Sequence, residues 1–295
     1  MYIQPMLSIN PLDLSTAQLQ AYLQSAVAPR PIAFASTLNA KGQPNLSPFS
    51  FFNVFSAQPP ILIFSPARRV RDNSIKHTLS NVQELQEVVI NVVDYALVQQ
   101  MSLSSTEYAE GVNEFVKAGL TPIPSMLVKP FRVKEAPVQF ECKVNQIVPL
   151  GNQGGAGNLV ICEVVKIHLS EAILDEKGAI VQDKLDLVAR LGGNWYSRAN
   201  AGLFEVPKPL TTLGIGVDAI PEFIKNSGVF CGNDLGLLAN VDALPSPEEV
   251  AIFVKQNFEL KAVLSADDQT KQLQLALSYL TKNEVESAWK VLLAQ

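Results

Sequence analysis

The chain has 295 residues, 47% of them hydrophobic and 17% charged, with a formal net charge of −5 at pH 7. That composition excludes a disordered chain and allows either one large domain with an appendage or two small domains. The acidic balance excludes a nucleic-acid surface, and the densest cationic run, Arg68-Arg69-Val70-Arg71, is too short for a polymer and suits a single phosphate.

Met1 to Asn10 has no charged start followed by an apolar run, so no signal peptide is expected. No apolar run approaches the roughly 18 to 20 residues needed to cross a bilayer. Cys142, Cys162 and Cys231 form no C-x-x-C pair and are odd in number, which argues against a disulfide framework and for a reducing compartment, the cytoplasm.

Leu14 to Ser25 predicts an amphipathic helix with Ser15 as N-cap, stopped by Pro29-Arg30-Pro31. Ile32–Leu38, Phe49–Phe55 and Ile61–Phe64 have strand length. With Asn39–Gly42 as a turn and no helix between them, they predict an antiparallel meander. Asp72–Val82 predicts a helix burying Ile75, Leu79 and Val82, followed by a strand at Val88–Val93 and a helix at Tyr95–Ser104. Pro122, Pro124 and Pro130 then break the chain. In Val138–Val144 the apolar residues alternate with Gln139, Glu141 and Lys143, the period of a half-buried strand. Gly151–Gly157 is a turn, and Leu159–Leu169 returns as the second arm of a long hairpin, which favours a barrel or sandwich over a doubly wound fold.

Pro207-Lys208-Pro209 marks a boundary. The expected division is a domain over residues 1–205 and a mostly helical extension over residues 206–295. Within the extension, Ile220–Asn226 begins a helix with Pro221 in its first turn. Ser246-Pro247-Glu248-Glu249 reads as a capping box, and Gln269–Leu280 with Glu284–Leu293 as a helical pair. Two glycine runs imitate dinucleotide fingerprints. Gly151–Gly157 leads into a strand rather than a helix, and Gly214-Ile215-Gly216-Val217-Asp218-Ala219 follows a poor strand outside any βαβ alternation.

Catalytic constellations are not recoverable: no Ser-His-Asp, no Cys-His, and no metal-ligand spacing. His168 has no ligand-spaced partner and receives no role. Cys142 and Cys162 sit on the two hairpin arms as candidate cross-strand neighbours, read as small apolar residues before a redox pair. Residues 45–53 carry more information. Their small polar side chains permit close backbone approach, and Phe49, Phe51 and Phe52 add apolar bulk, which together suit a planar amphipathic ring. Arg68, Lys76 and Thr78 are candidates for an attached phosphate, with Lys76 near a helix start.

Four elements in order, Pro29-Arg30-Pro31-Ile32-Ala33-Phe34-Ala35-Ser36-Thr37, Asn45-Leu46-Ser47-Pro48-Phe49-Ser50-Phe51-Phe52-Asn53, Lys76-His77-Thr78-Leu79-Ser80-Asn81 and Arg190-Leu191-Gly192-Gly193-Asn194-Trp195-Tyr196, resemble the flavin reductase-like domain family over roughly residues 20 to 200. The resemblance implies a mainly β fold with α elements: a split β-barrel, antiparallel and of Greek-key type, with peripheral helices, the helical C-terminal extension lying outside it. It implies FMN as cofactor, lined by Asn45, Ser47, Pro48, Phe49, Ser50, Phe52 and Asn53. Lys76 and Thr78 would lie near the phosphate with Arg68, and Arg30 and Tyr196 near the cleft. His77 stands where the family commonly has Asp, and is a candidate phosphate donor or proton source. The implied activity is hydride transfer from NADH or NADPH to flavin, then electron transfer to a free flavin, a ferric complex or a redox protein, in a homodimer. An FMN electron carrier without a nicotinamide substrate and a non-catalytic split-barrel binding protein are the alternatives.

Overall fold

The computed structural model describes residues 6–206, 208 and 213–295, so Pro207 and Pro209 of the expected boundary lie outside the described residues. One compact unit ends at Phe204 and a second begins at Glu205.

The first unit opens with helix α1 (Thr16–Ala26), where Ser15 and Gln18 form a reciprocal capping box. Strands β1 (Ala33–Leu38), β2 (Pro44–Phe49), β3 (Phe52–Ala57) and β4 (Pro60–Phe64) follow. Next come α2 (His77–Leu85), β5 (Glu87–Val92), α3 (Val98–Leu103) and α4 (Glu114–Ala118). A short pair, β6 (Pro122–Ile123) and β7 (Arg132–Val133), precedes the long hairpin of β8 (Val138–Pro149) and β9 (Asn158–Leu169). Helix α5 (Gln182–Leu185) and the pair β10 (Val188–Arg190) and β11 (Tyr196–Arg198) complete the unit.

Seven strands form one antiparallel sheet in the order β2-β1-β5-β8-β9-β4-β3. The expected meander is therefore corrected. Among the first four strands, consecutive ones pair only within the hairpins β1–β2 and β3–β4, and these two hairpins hold opposite edges of the sheet. Only Ser50 and Phe51 separate β2 from β3. Three peptide units reach at most about 11 Å, so the two edges must approach each other and the sheet must close. Phe49 of β2 packs on Phe64 of β4 with ring centroids 5.4 Å apart. The barrel interior is filled by Ala33, Ala35, Phe49, Leu62, Phe64, Val88, Ile90, Cys142, Val144, Val160 and Cys162, and is plugged by Leu79 and Val82 of α2. The two cysteines are buried free thiols on diagonal rather than facing register, Cys142 opposite Val164 and Val144 opposite Cys162. Burial pushes both thiols up, so neither is a ready thiolate.

Strand β1 is buried on both faces. Its other side, with Leu46 of β2, packs on Leu97 and Met101 near and within α3, on Phe115 of α4 and on Val133 of β7. The second face of β8 is covered over its first half, at Gln139 and Glu141, which corrects the half-buried reading there, while Lys143 and Asn145 are exposed as the alternation predicts. Gln139 donates to the carbonyls of Val133 (2.8 Å) and Ala136 (3.0 Å). Glu141, fully buried, accepts from the backbone N–H groups of Met126 (2.8 Å) and Leu127 (2.6 Å), and meets His168 Nε2 at 2.7 Å. His168 thus has a carboxylate partner, supplied across the hairpin.

The second unit is helical: α6 (Glu222–Lys225), α7 (Gly232–Ala239), α8 (Pro247–Gln256), α9 (Phe258–Ser265), α10 (Gln269–Leu280) and α11 (Val285–Leu292). Pro221 serves as the N-cap of α6 rather than inside its first turn, whereas the Ser246–Glu249 capping box starts α8 as the sequence predicts. Trp289 is fully buried at the centre of its core and donates Nε1–H to the Leu238 carbonyl at 2.9 Å.

A buried polar chain joins three elements of the first unit. Thr78 Oγ1 of α2 donates to Asn45 Oδ1 of β2 (2.9 Å), and Asn45 Nδ2 donates to Glu114 Oε1 of α4 (3.1 Å). Glu114 Oε2 takes the Leu46 backbone N–H (3.1 Å). Thr78→Val is nearly isosteric and leaves Asn45 Oδ1 without its donor. It is expected to cost about 1–3 kcal/mol in denaturant unfolding with an unchanged m-value. Glu141 generates a second expectation. Burial pushes its carboxyl upward, but the donors from Met126, Leu127 and His168 outweigh this and hold it below the usual carboxylate range. A lowered folded value means that the stabilisation is whole above the unfolded value of about 4.3 and is lost as pH falls through the folded one. Glu141→Gln should cost about 1–3 kcal/mol at neutral pH. The gap between variant and wild type should narrow below about pH 4 in urea titrations, as the wild type loses this contribution.

Candidate functional site

The cleft of the first unit lies where β2, the start of α2 and the segment after α3 meet. Its first half is lined by Asn45, Ser47, Arg69, Lys76, His77, Thr78 and residues 104–108. Its second half is lined by Ile32, Pro48, Ser50, Met101, Ser102, Arg190 and Tyr196, and Ser105 belongs to both.

The first half is polar and cationic. Lys76 is the N-cap residue of α2 and makes no side-chain cap bond; the Leu79 N–H donates to its carbonyl, and the His77 and Thr78 N–H groups remain available to an anion. Burial and the neighbouring Arg69 push the Lys76 ammonium below the ordinary lysine range, against the opposing pull of Glu107. Arg69 is aimed by its own backbone surroundings: Nη1 donates to Ser74 Oγ (2.9 Å) and the Ile75 carbonyl (2.7 Å), leaving Nε to meet Glu107 at 2.9 Å. The helix expected from Asp72 instead begins at His77, because Asp72 closes a local turn by accepting from the Ser74 N–H at 2.9 Å. Hydrogen bonds from the Ser74 hydroxyl and N–H hold the Asp72 carboxyl at about 2.

The Gly151–Gly157 turn positions this arginine segment from below. Arg68 N–H donates to the Ala156 carbonyl (2.8 Å) and Gly155 N–H to the Arg68 carbonyl (2.9 Å). A Cβ at Gly154 would stand 2.9 Å from the Arg69 carbonyl oxygen, so glycine is needed for the close approach. The glycines therefore clamp a backbone rather than cradle a phosphate.

The second half combines apolar Ile32, Pro48, Met101 and Tyr196 with the hydroxyls of Ser50, Ser102 and Ser105. The Arg190 guanidinium lies 4.6 Å from the Tyr196 ring centroid and donates to the Gly193 carbonyl. Gly192 admits Ser25 of α1 where a Cβ would collide with its backbone and hydroxyl.

The cleft brings together Asn45, Ser47, Pro48, Ser50, Lys76, His77, Thr78 and Tyr196 of the expected residues. Others stand elsewhere. Phe49 is a barrel-core residue, and Phe52 packs partly buried against the same core. Asn53 is exposed on β3. Arg68 is turned to Asn73, donating Nε to its side chain (2.6 Å) and Nη2 to its carbonyl (2.7 Å), and Arg69 occupies the cleft instead. Arg30 is buried under the cleft: it donates to the carbonyls of Gln24, Val27 and Leu191 (3.0 Å for the last) and to Ser50 Oγ at 3.4 Å. Burial and the nearby Arg190 push it below the ordinary arginine range. It positions Ser50 and the segment after β10 rather than offering a free cation. Ser102, Ser105, Thr106, Glu107 and Arg190 line the cleft without having been singled out individually; the hydroxyl-rich run Ser102–Thr106 was the available signal.

Residues 25–186 match the flavin reductase like domain. An uncharacterized protein of Aquifex aeolicus is 40% identical over 173 residues, spanning 59% of this chain and 86% of that protein. Among solved structures, nitrilotriacetate monooxygenase component B of Bacillus cereus aligns with a TM-score of 0.65 and 30% identity, covering 69% of this chain and 100% of that one. The 2-nitrobenzoate 2-nitroreductase NbaA of Pseudomonas fluorescens aligns at 0.63 and 27%, covering 71% and 100%. With the closed seven-stranded sheet and this cleft, the chain belongs to the flavin reductase like domain family, a flavin-associated oxidoreductase group of split-barrel fold.

Proposed function

We propose that the chain is a flavin-dependent oxidoreductase that holds FMN in this cleft and accepts hydride from NADH or NADPH. The observation that carries the reading is the junction at Ser105 of two unlike halves, one cationic with an uncapped helix start, the other apolar with hydroxyls. The donor set fits the group. Arg69, Lys76 and the first turn of α2 suit a phosphate monoester. Ile32, Pro48 and Met101 suit one face of a flat ring, and Ser50, Ser102 and Ser105 suit its polar edge.

The isoalloxazine ring, when bound, supplies the hydride and electron chemistry. The chain's residues bind and orient. Thr78 spends its hydroxyl proton on Asn45 and so fixes the cleft floor rather than contacting phosphate through that proton. Arg30 fixes Ser50 from behind. Tyr196, stacked against Arg190, lines the second half of the cleft, where a nicotinamide would approach the ring. His77 lines the cleft at the first position of α2, a place for a phosphate donor. Electrons would pass on to a free flavin, a ferric complex or a redox protein. Exposed Phe51 just before β3, with Val54 and Phe55 on it, forms an apolar edge that suits a second copy, and a homodimer in the cytoplasm is part of the proposal. Among the described residues no helix is long and apolar enough to cross a membrane.

The purified chain should absorb in the blue, and NADH or NADPH added without oxygen should bleach it. Tight yellow protein that neither nucleotide bleaches would favour an electron carrier. Colourless protein that does not retain added FMN would favour a non-catalytic binding protein. Lys76→Ala should weaken FMN by roughly 10- to 100-fold, the worth of a charge-assisted contact, with riboflavin changed much less in the same fluorescence titration.

A further inference from the structure

Glu107 stands in the cationic half of the cleft with no role in holding flavin. Its Oε1 meets Arg69 Nε at 2.9 Å and Lys76 Nζ at 3.8 Å, and its Oε2 meets Arg71 Nη2 at 2.8 Å. Three cations from one short segment thus converge on a carboxylate delivered by the loop between α3 and α4. Two of them, Arg69 and Lys76, line the cleft beside it. Arginine forks and lysine ammonium groups bind carboxylate and phosphate by the same geometry, so one oxyanion can replace the other.

The other acidic groups nearby are already committed. Glu114 is buried on Asn45 and the Leu46 N–H, and Asp72 is held by Ser74 and Arg71. Glu107 is as exposed as Asp72, 42%, but unlike Asp72 it takes no hydrogen bond from backbone or hydroxyl, only from cationic side chains, and its partner Arg71 is 69% exposed. Ion pairs of that exposure are individually weak, so this carboxylate can leave. A phosphate monoester carries more charge than a carboxylate and offers three oxygens to the same donors.

We propose that Glu107 is a resident counter-ion of the Arg69–Arg71–Lys76 cluster which an entering flavin phosphate displaces, freeing the loop that carries it. Resting on the flavin reading of the cleft, it makes Glu107 a specificity-determining residue. Phosphorylated flavin must exchange with it and unphosphorylated flavin need not, so the residue trims the preference for FMN over riboflavin. Its exchange also couples occupancy of the cleft to the position of Ser104–Tyr108, which includes the shared wall residue Ser105.

The test is a fluorescence titration of the full chain with FMN and with riboflavin, comparing wild type with Glu107→Gln and Glu107→Asp. Glu107→Gln should bind FMN roughly three- to tenfold tighter, as expected for removal of several exposed pairs, and riboflavin within about twofold of wild type. The gain should shrink as salt is raised. Glu107→Asp, which keeps the charge, should stay near wild type. FMN affinity that is unchanged or weaker in Glu107→Gln overturns the proposal. So does equal tightening of both flavins, which would mean that the loop merely obstructs the cleft. If wild type binds FMN but not more tightly in Glu107→Gln, the flavin reading survives while the counter-ion proposal falls. If wild type binds neither flavin, both fall.

Discussion

Phe49 and Phe52 stand at opposite edges of a seven-stranded sheet and three peptide units apart in the chain, and the site depends on that constraint. An antiparallel sheet with its edges tied by two residues has to curl, and the curl puts the apolar side chains of six strands around one interior. The closing strand, β2, cannot then be an ordinary edge. It is pulled between Phe64 on the inner side and α3, α4 and β7 on the outer side, and its polar residues line the cleft. Ser50, the turn residue itself, is held by Arg30, whose other donors reach carbonyls of α1, of the turn after it, and of the segment following β10. Closure of the barrel and construction of the cleft are one event.

Much of the fold was legible because local chemistry and tertiary demand agree. The capping boxes at Ser15 and Ser246 place two helix starts, and the alternation through Val138–Val144 with its glycine turn identifies the long hairpin. Strand β2 is absent from the sequence-based strands because Pro44, Pro48 and small polar residues lower its apparent strand preference. On an edge strand the missing proline N–H groups are tolerated, since the free edge needs no donor there. The face of β8 carrying Gln139 and Glu141 read as exposed because its cover, the proline-broken segment around Met126 and Leu127, contributes backbone donors rather than an apolar pattern. Backbone donors leave no trace in periodicity.

The cleft was legible in part for the same reason. Residues supplied by β2 and the start of α2 lie close in sequence and form a recognisable order. The choice of Arg69 over Arg68 depends on which guanidinium the turn at Asp72–Ser74 and the glycines of the β8–β9 hairpin leave facing the cleft, a distinction between adjacent identical residues that no local pattern encodes. The wall from Ser102 to Tyr108 arrives through α3 and α4, whose packing on Leu46 and Phe34 is long-range.

Two carboxylates in the same cleft illustrate how burial assigns roles to chemically identical groups. Glu114, 5% exposed, has given both oxygens to Asn45 and the Leu46 backbone. Removing it would strand buried donors, so it behaves as part of the frame. Glu107, 42% exposed, accepts only from cationic side chains, one of them the 69% exposed Arg71, and takes no backbone donor, so water can replace it at modest cost and it behaves as an exchangeable ion. A site of this kind must hold its floor rigid while keeping its anion seat open to exchange. The difference in depth between α4 and the loop that precedes it provides both, with one residue type and no need of a dedicated acid–base pair.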